Sequence, residues 1–140
     1  THGAALDFLR KLRAHRTKLE VLGDGRQAKP YLHVSDCVTG MMYALDHADA
    51  ALNIYNICPS DCTTVAKIAK LCIEASPYPN AEIEYTGGER GWPGDVPRSR
   101  MSPGRLAALG FAVQHSSDAA VELAIAALAG EVFPSEERQI

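Results

Sequence analysis

GDGRQAKPYLHVSDC (residues 23–37) sets a glycine turn, a lysine beside a proline, a strand-like run and a helix start within fifteen residues. Asp24-Gly25 at the centre of 23–27 is turn chemistry, because glycine reaches positive φ without a steric penalty. LEVL (19–22) before it and YLHV (31–34) after it have the character of short strands, so the turn reads as the link of a hairpin. Pro30 has no N–H to give a ladder and belongs at a strand start or edge. Ser35 or Asp36 supplies the cap of a helix on which Val38, Met41, Met42 and Leu45 recur at helical spacing and read as the inward face. Lys29 has no role in this pattern: a cation placed where the second strand begins needs something to meet.

The rest of the chain alternates in the same way. A first helix near residues 3–15 places Ala5, Phe8, Leu9 and Leu12 on one side. NIYNI (53–57) reads as a strand ending in Tyr55 and Asn56, to which no chemistry is assigned. Thr63 or Thr64 then caps a helix with Val65, Ile68, Ala69 and Cys72 inward. The Pro-rich 76–80 segment breaks that helix, and EIEY (82–85) is a fourth strand. TGGERGWPGDVPRSRMSPG (86–104) is one long irregular stretch, of a length that compact domains usually reserve for function. RLAALGF (105–111) is a short helix ending on glycine. A last helix follows Ser116-Ser117-Asp118 and points Val121, Ala124, Ile125 and Leu128 inward, with a frayed tail over 135–140. Helices and short strands alternating from end to end mean an α/β fold.

Composition narrows the class. Hydrophobic residues make up 46% and charged ones 22% of 140 residues, ordinary for one globular domain. No apolar run reaches membrane-spanning length, and the N-terminus lacks a signal-peptide layout, so a cytoplasmic setting without a membrane partner is expected. The helix begins almost at residue 1 with no initiating Met, which reads as a fragment. Seven Lys or Arg face three acids over residues 1–33, although the whole chain carries −3. The basic side chains are spread around a helix and lack interleaved aromatics, which argues against nucleic acid. Cys37 and Cys72 fall on helix stripes and read as buried thiols. The spacing of Cys58 and Cys62 fits no common zinc site, so no metal is expected.

No G-x-G-x-x-G follows a strand, and no nucleophile elbow, Walker loop or H-E-x-x-H is present. As an ordered set, however, three segments match one family. Residues 23–45 resemble the G-D-G-x-Q-x-R-D-(F/Y)-x-(H/Y)-V-x-D segment of the extended short-chain dehydrogenases/reductases, the NAD-dependent nucleotide-sugar epimerases and dehydratases. Residues 54–75 are similar to that family's Y-N-I-G strand and its helix, and 90–111 to its R-x-G-D-V…L-G-(F/W) stretch.

The resemblance implies the small C-terminal substrate-binding lobe (residues 1–134) of such an enzyme, with the Rossmann half absent. That half would carry the NAD site and the catalytic Tyr and Lys, so this chain alone holds neither catalytic nor cofactor-binding residues. The implied partners are the missing N-terminal Rossmann domain and a nucleotide sugar, with weak self-association through an exposed face. The implied substrate-binding residues are Glu20 and Leu22 beside the base, Lys29 in place of the family's phosphate-binding arginine, and Arg90 and Asp95 in the glycine-rich loop. Lysine keeps the charge but loses the bidentate fork, and Pro30 replaces the family's aspartate. Arg90 stands two residues early, with Trp92 in its slot. His33, in a strand, reads as a core or edge histidine. Two alternatives stay open: a stand-alone non-catalytic binding or scaffolding module, and the lobe of an extended reductase with a non-nucleotide substrate.

Overall fold

A computed structural model describes residues 3–134; the tail expected over 135–140 lies outside them. The helices are α1 (Ala4–His15), α2 (Val34–Asp46), α3 (Val65–Glu74), α4 (Gly104–Ala108) and α5 (Ser117–Val132). The strands are β1 (Lys18–Val21), β2 (Ala28–Lys29), β3 (Thr63–Thr64) and β4 (Glu82–Tyr85). They form two small sheets. β1 pairs parallel with β4, Leu19 opposite Ile83, and β2 pairs antiparallel with β3, Lys29 opposite Thr63. The turn at 23–27 therefore does not close a hairpin; it carries the chain from one sheet to the other.

One apolar core holds these pieces together. α1, α3 and α5 pack on one another, and α1 and α3 on β1, burying Leu9, Leu12, Leu19, Ile68, Cys72, Ile125 and Phe133. α1 presents Phe8, Leu9 and Leu12 at i, i+1, i+4 spacing, as one helical stripe requires. Thr64 caps α3 by accepting the Lys67 N–H at 3.2 Å, and Ser116 caps α5 through Ala119 N–H at 3.1 Å. The α5 stripe is Val121, Ile125, Ala129 and Val132 rather than one that includes Ala124, which is exposed. An Ala-rich helix is apolar on several sides, so composition leaves its rotation open and packing selects it.

Three other expectations are corrected. YLHV is not a strand: pairing stops at Lys29, Pro30 breaks the ladder, and the Tyr31 N–H goes to Ser117 Oγ at 3.0 Å. His33 is no core histidine but the cap of α2, its ring accepting from Ser35 N–H at 3.3 Å, two residues ahead of the expected cap. Asp36 is instead buried, accepting the His115 N–H at 2.9 Å with the His115 ring at 3.0 Å. Burial alone would raise the Asp36 carboxyl; the His115 backbone and ring bonds outweigh it and hold it below the usual range.

The expected inward face of α2 points the other way. Val38, Met41, Met42 and Leu45 are each more than half exposed, and the buried positions are Asp36 and Gly40. A Cβ on Gly40 would come within 2.8 Å of Ile57, so glycine lets α2 approach the 53–57 segment. That segment forms no strand, and its Ile54 and the preceding Leu52 are exposed too. A strand needs a neighbouring edge, and this segment pairs with neither small sheet.

Candidate functional site: a cleft around Lys29

The site grows from the glycine turn. Gly23 and Gly25 sit at φ 84° and 77°, which side-chain-bearing residues rarely adopt. Asp24 Oδ1 takes the Arg26 N–H at 2.9 Å and sets the bend. The turn is then fastened to the start of α3: Gly25 C=O accepts from Ala66 N–H at 3.0 Å and Gln27 C=O from Val65 N–H at 2.9 Å. β2 leaves the turn held on both sides, by β3 and by the loop, where Ala28 N–H donates to Pro97 C=O at 2.8 Å.

Lys29 is what this scaffold aims. Behind it a polar knot joins β2 to α5: Ser117 Oγ receives the Tyr31 N–H, lies 2.8 Å from Thr63 Oγ1, and donates to Lys29 C=O at 3.4 Å. Thr63 Oγ1 also donates to Asp118 Oδ1 at 2.7 Å, and Asp61 receives the Ser117 N–H at 3.0 Å. Both Ser117 and Thr63 are fully buried, so the knot fixes the Lys29 backbone more firmly than a two-residue strand could.

The Lys29 ammonium meets Asp95 Oδ1 at 2.9 Å, and Asp95 Oδ2 accepts the Gly91 N–H at 3.2 Å. Asp95 is 8% exposed, while 41% of the Lys29 side chain is open to solvent. The Lys29 hydrogen bond, helped by the Gly91 and Val96 amides, holds the Asp95 carboxyl below its ordinary range against the pull of burial. Burial pushes the nearby Tyr31 phenol upward.

These groups face an open cleft of about 480 Å³ between α1, the end of β1 and the 86–103 loop. Leu22, Gln27, Lys29, Tyr31, Trp92 and Asp95 line it, with Lys11 and Asp7 of α1 on the opposite side. Lys11 reaches Asp7 at 3.3 Å, the Glu20 carboxylate at 3.6 Å and the Glu20 C=O at 3.3 Å. The cleft thus combines two partly solvated ammonium groups, Lys29 paired with Asp95 and Lys11 with Asp7 and Glu20, with an indole, a phenol and an apolar floor. Cations beside flat apolar faces are suited to an anion carrying a ring.

Of the residues expected to bind substrate, the structure brings Leu22, Lys29 and Asp95 together. Glu20 lies one residue before Val21 at the end of β1 and is tied to Lys11. Arg90 is exposed and does not line the cleft; its backbone passes over Gly23, within 3.2 Å of where a Cβ there would stand. The second cation of the cleft is Lys11. Sequence reasoning missed Lys11, Gln27, Tyr31 and Trp92. The spacing of Gly23 and Gln27, and the lone tryptophan in the loop, were the available signals. Among the described residues no group of three or more His, Cys, Asp or Glu could hold a metal ion, and no helix is long and apolar enough to cross a membrane.

Residues 2–58 match the model of the NAD dependent epimerase/dehydratase family. Among solved structures, a UDP-galactose 4-epimerase superposes with a TM-score of 0.75 at 30% identity, over 93% of this chain and 41% of that one. The UDP-glucose 4-epimerase of Thermotoga maritima, solved with UDP-glucose, gives 0.68 at 23% identity, over 88% and 38% of the two chains. That of Thermus thermophilus, solved with NAD, gives 0.67 at 24% identity, over 92% and 42%. No curated protein matches the sequence. The chain spans about two fifths of the length of the solved epimerases it superposes on. In sequence over residues 2–58 and in its mixed α/β fold over nearly its whole length, this chain is similar to one part of an NAD-dependent epimerase/dehydratase.

Proposed function

We propose that this chain is the substrate-binding lobe of an NAD-dependent nucleotide-sugar epimerase or dehydratase, and that its cleft receives the nucleoside diphosphate of the substrate. The observation that carries this reading is the convergence of Leu22, Lys29 and Asp95 on one cleft, joined there by Trp92 and Tyr31. In this role Lys29 meets the diphosphate, Leu22 and Trp92 pack against the base, and Asp95 holds Lys29 and the loop in register. Positioning and charge compensation are the lobe's contribution to catalysis.

The glycine turn and the start of α3 do not form a helix-terminal site for the cofactor's pyrophosphate. Gly23–Gly25 leads into β2 rather than a helix, and the first free amides of α3, Val65 and Ala66, are already bonded to that turn. Hydride chemistry therefore belongs to a further domain. The exposed apolar side chains of α2, with exposed Leu52 and Ile54 after it in the chain, have the chemistry of a surface made to be covered by that domain.

The test is an amide chemical-shift titration of the chain with UDP. Shifts centred on 20–31 and 91–95, weakened in Lys29→Ala, support the reading. Saturable shifts confined to residues away from both stretches overturn it.

A further inference from the structure

Gln27 is only 2% exposed, yet its Oε1 has no hydrogen-bond partner. The other end of the amide is fixed: Nε2 donates to Leu22 C=O at 3.2 Å, and turning the amide over would set oxygen against oxygen. The side chain lies over Gly23, where a Cβ would fall 1.9 Å from Nε2 and 3.2 Å from the Arg90 carbonyl carbon. The turn glycine thus makes room for this amide beneath the start of the loop. An amide that served only to hold the turn would need no unpaired oxygen, and burying an acceptor without a donor is unfavourable. Gln27 also lines two openings: the Lys29 cleft on one side, and on the other a groove of about 440 Å³ bordered by Asp24, Arg26, Glu89, Pro97 and Arg98.

We propose that Gln27 Oε1 is a ligand acceptor, taking a hydroxyl or N–H from the nucleoside part of the ligand whose diphosphate meets Lys29. The inference rests on the substrate-lobe reading of the cleft and adds a residue that distinguishes a nucleoside diphosphate from a bare diphosphate. Ligand entry turns the amide toward the cleft or displaces the Arg90 backbone that passes over Gly23. The orphaned oxygen then gains the donor it lacks in the free protein.

Two probes separate the contributions, because pyrophosphate offers the charge without the nucleoside. Pyrophosphate and UDP are each titrated into the wild-type chain, Lys29→Ala, Gln27→Leu and Gln27→Met, with binding followed by NMR. The expected result is a pyrophosphate affinity unchanged within twofold in both Gln27 variants and a UDP affinity five- to tenfold weaker. In the wild-type protein the Gln27 side-chain amide resonances move with UDP and stay in place with pyrophosphate, a readout that needs no variant to fold. Equal loss of both ligands, or UDP binding within twofold of wild type, overturns the Gln27 role. If Lys29→Ala still weakens pyrophosphate in that case, the cleft reading survives; if the wild-type chain binds neither probe, both fall.

Discussion

Asp95→Asn separates what holds the cleft together from what the cleft holds. The carboxylate makes one charge-assisted bond to Lys29 at 2.9 Å and takes the Gly91 N–H at 3.2 Å. Asparagine keeps an oxygen for Gly91 and loses the charge. Hydrogen bonds to charged groups contribute roughly 1.5–3 kcal/mol. Because 41% of the Lys29 side chain is solvated, screening puts this one at the low end, about 1.5 kcal/mol. With an unfolding entropy of about 2.1 cal/mol/K per residue, the melting temperature of a chain this size should fall by about 5 °C. The sign with pH follows from the depressed Asp95 carboxyl. Its contribution is complete above the unfolded Asp value of about 3.9 and disappears as pH drops through the lower folded value, so wild type and variant converge in acid. Ligand binding should move the opposite way. Without a neighbouring carboxylate to compete for Lys29, pyrophosphate should bind roughly three- to tenfold tighter, the scale of one partly screened charge pair. Differential scanning fluorimetry across pH and pyrophosphate titration read the two effects separately. A variant with unchanged melting temperature at pH 7, or one that binds pyrophosphate more weakly, would refute the reasoning.

Three further outcomes are expected. Leu12→Ala, which empties a fully buried site between α1 and its neighbours, should cost about 2–5 kcal/mol by denaturant unfolding, and a loss below about 1 kcal/mol would contradict the packing described. Met41→Lys with Leu45→Lys, on the exposed face of α2, should leave stability within about 0.5 kcal/mol and abolish any concentration-dependent association seen by sedimentation; strong destabilisation would mean that the face is buried after all. In the native protein at pH 8, exposed Cys62 should react readily with a thiol reagent while Cys72, whose thiol burial pushes up to about 12, stays unmodified until unfolding; mass spectrometry of the digested adducts decides.

Much of this protein is determined by the sequence itself, wherever the deciding physics is local. α1, α3 and β4 fall where periodicity and capping residues put them, because Thr64 reaches an amide three residues away and a helix stripe needs only its own spacing. The glycine turn is legible for the same reason, as is a cation just after it. What the tertiary structure alone decided is everything that needs a partner from elsewhere in the chain. YLHV and NIYNI carry strand character but find no edge to pair with, and the Tyr31 amide is claimed by Ser117, 86 residues on. The α2 stripe is apolar, yet the side that is buried follows from Gly40 seating on Ile57 and Asp36 meeting His115, not from hydropathy. The cleft shows the same division. Lys29 could be singled out from its neighbours in sequence, while Asp95 as its counterion, Lys11 as the second cation and the unpaired oxygen of Gln27 emerge only once the loop folds back over the turn. Local geometry is written in neighbouring residues; pairing, facing and charge compensation belong to contacts that only the closed chain makes.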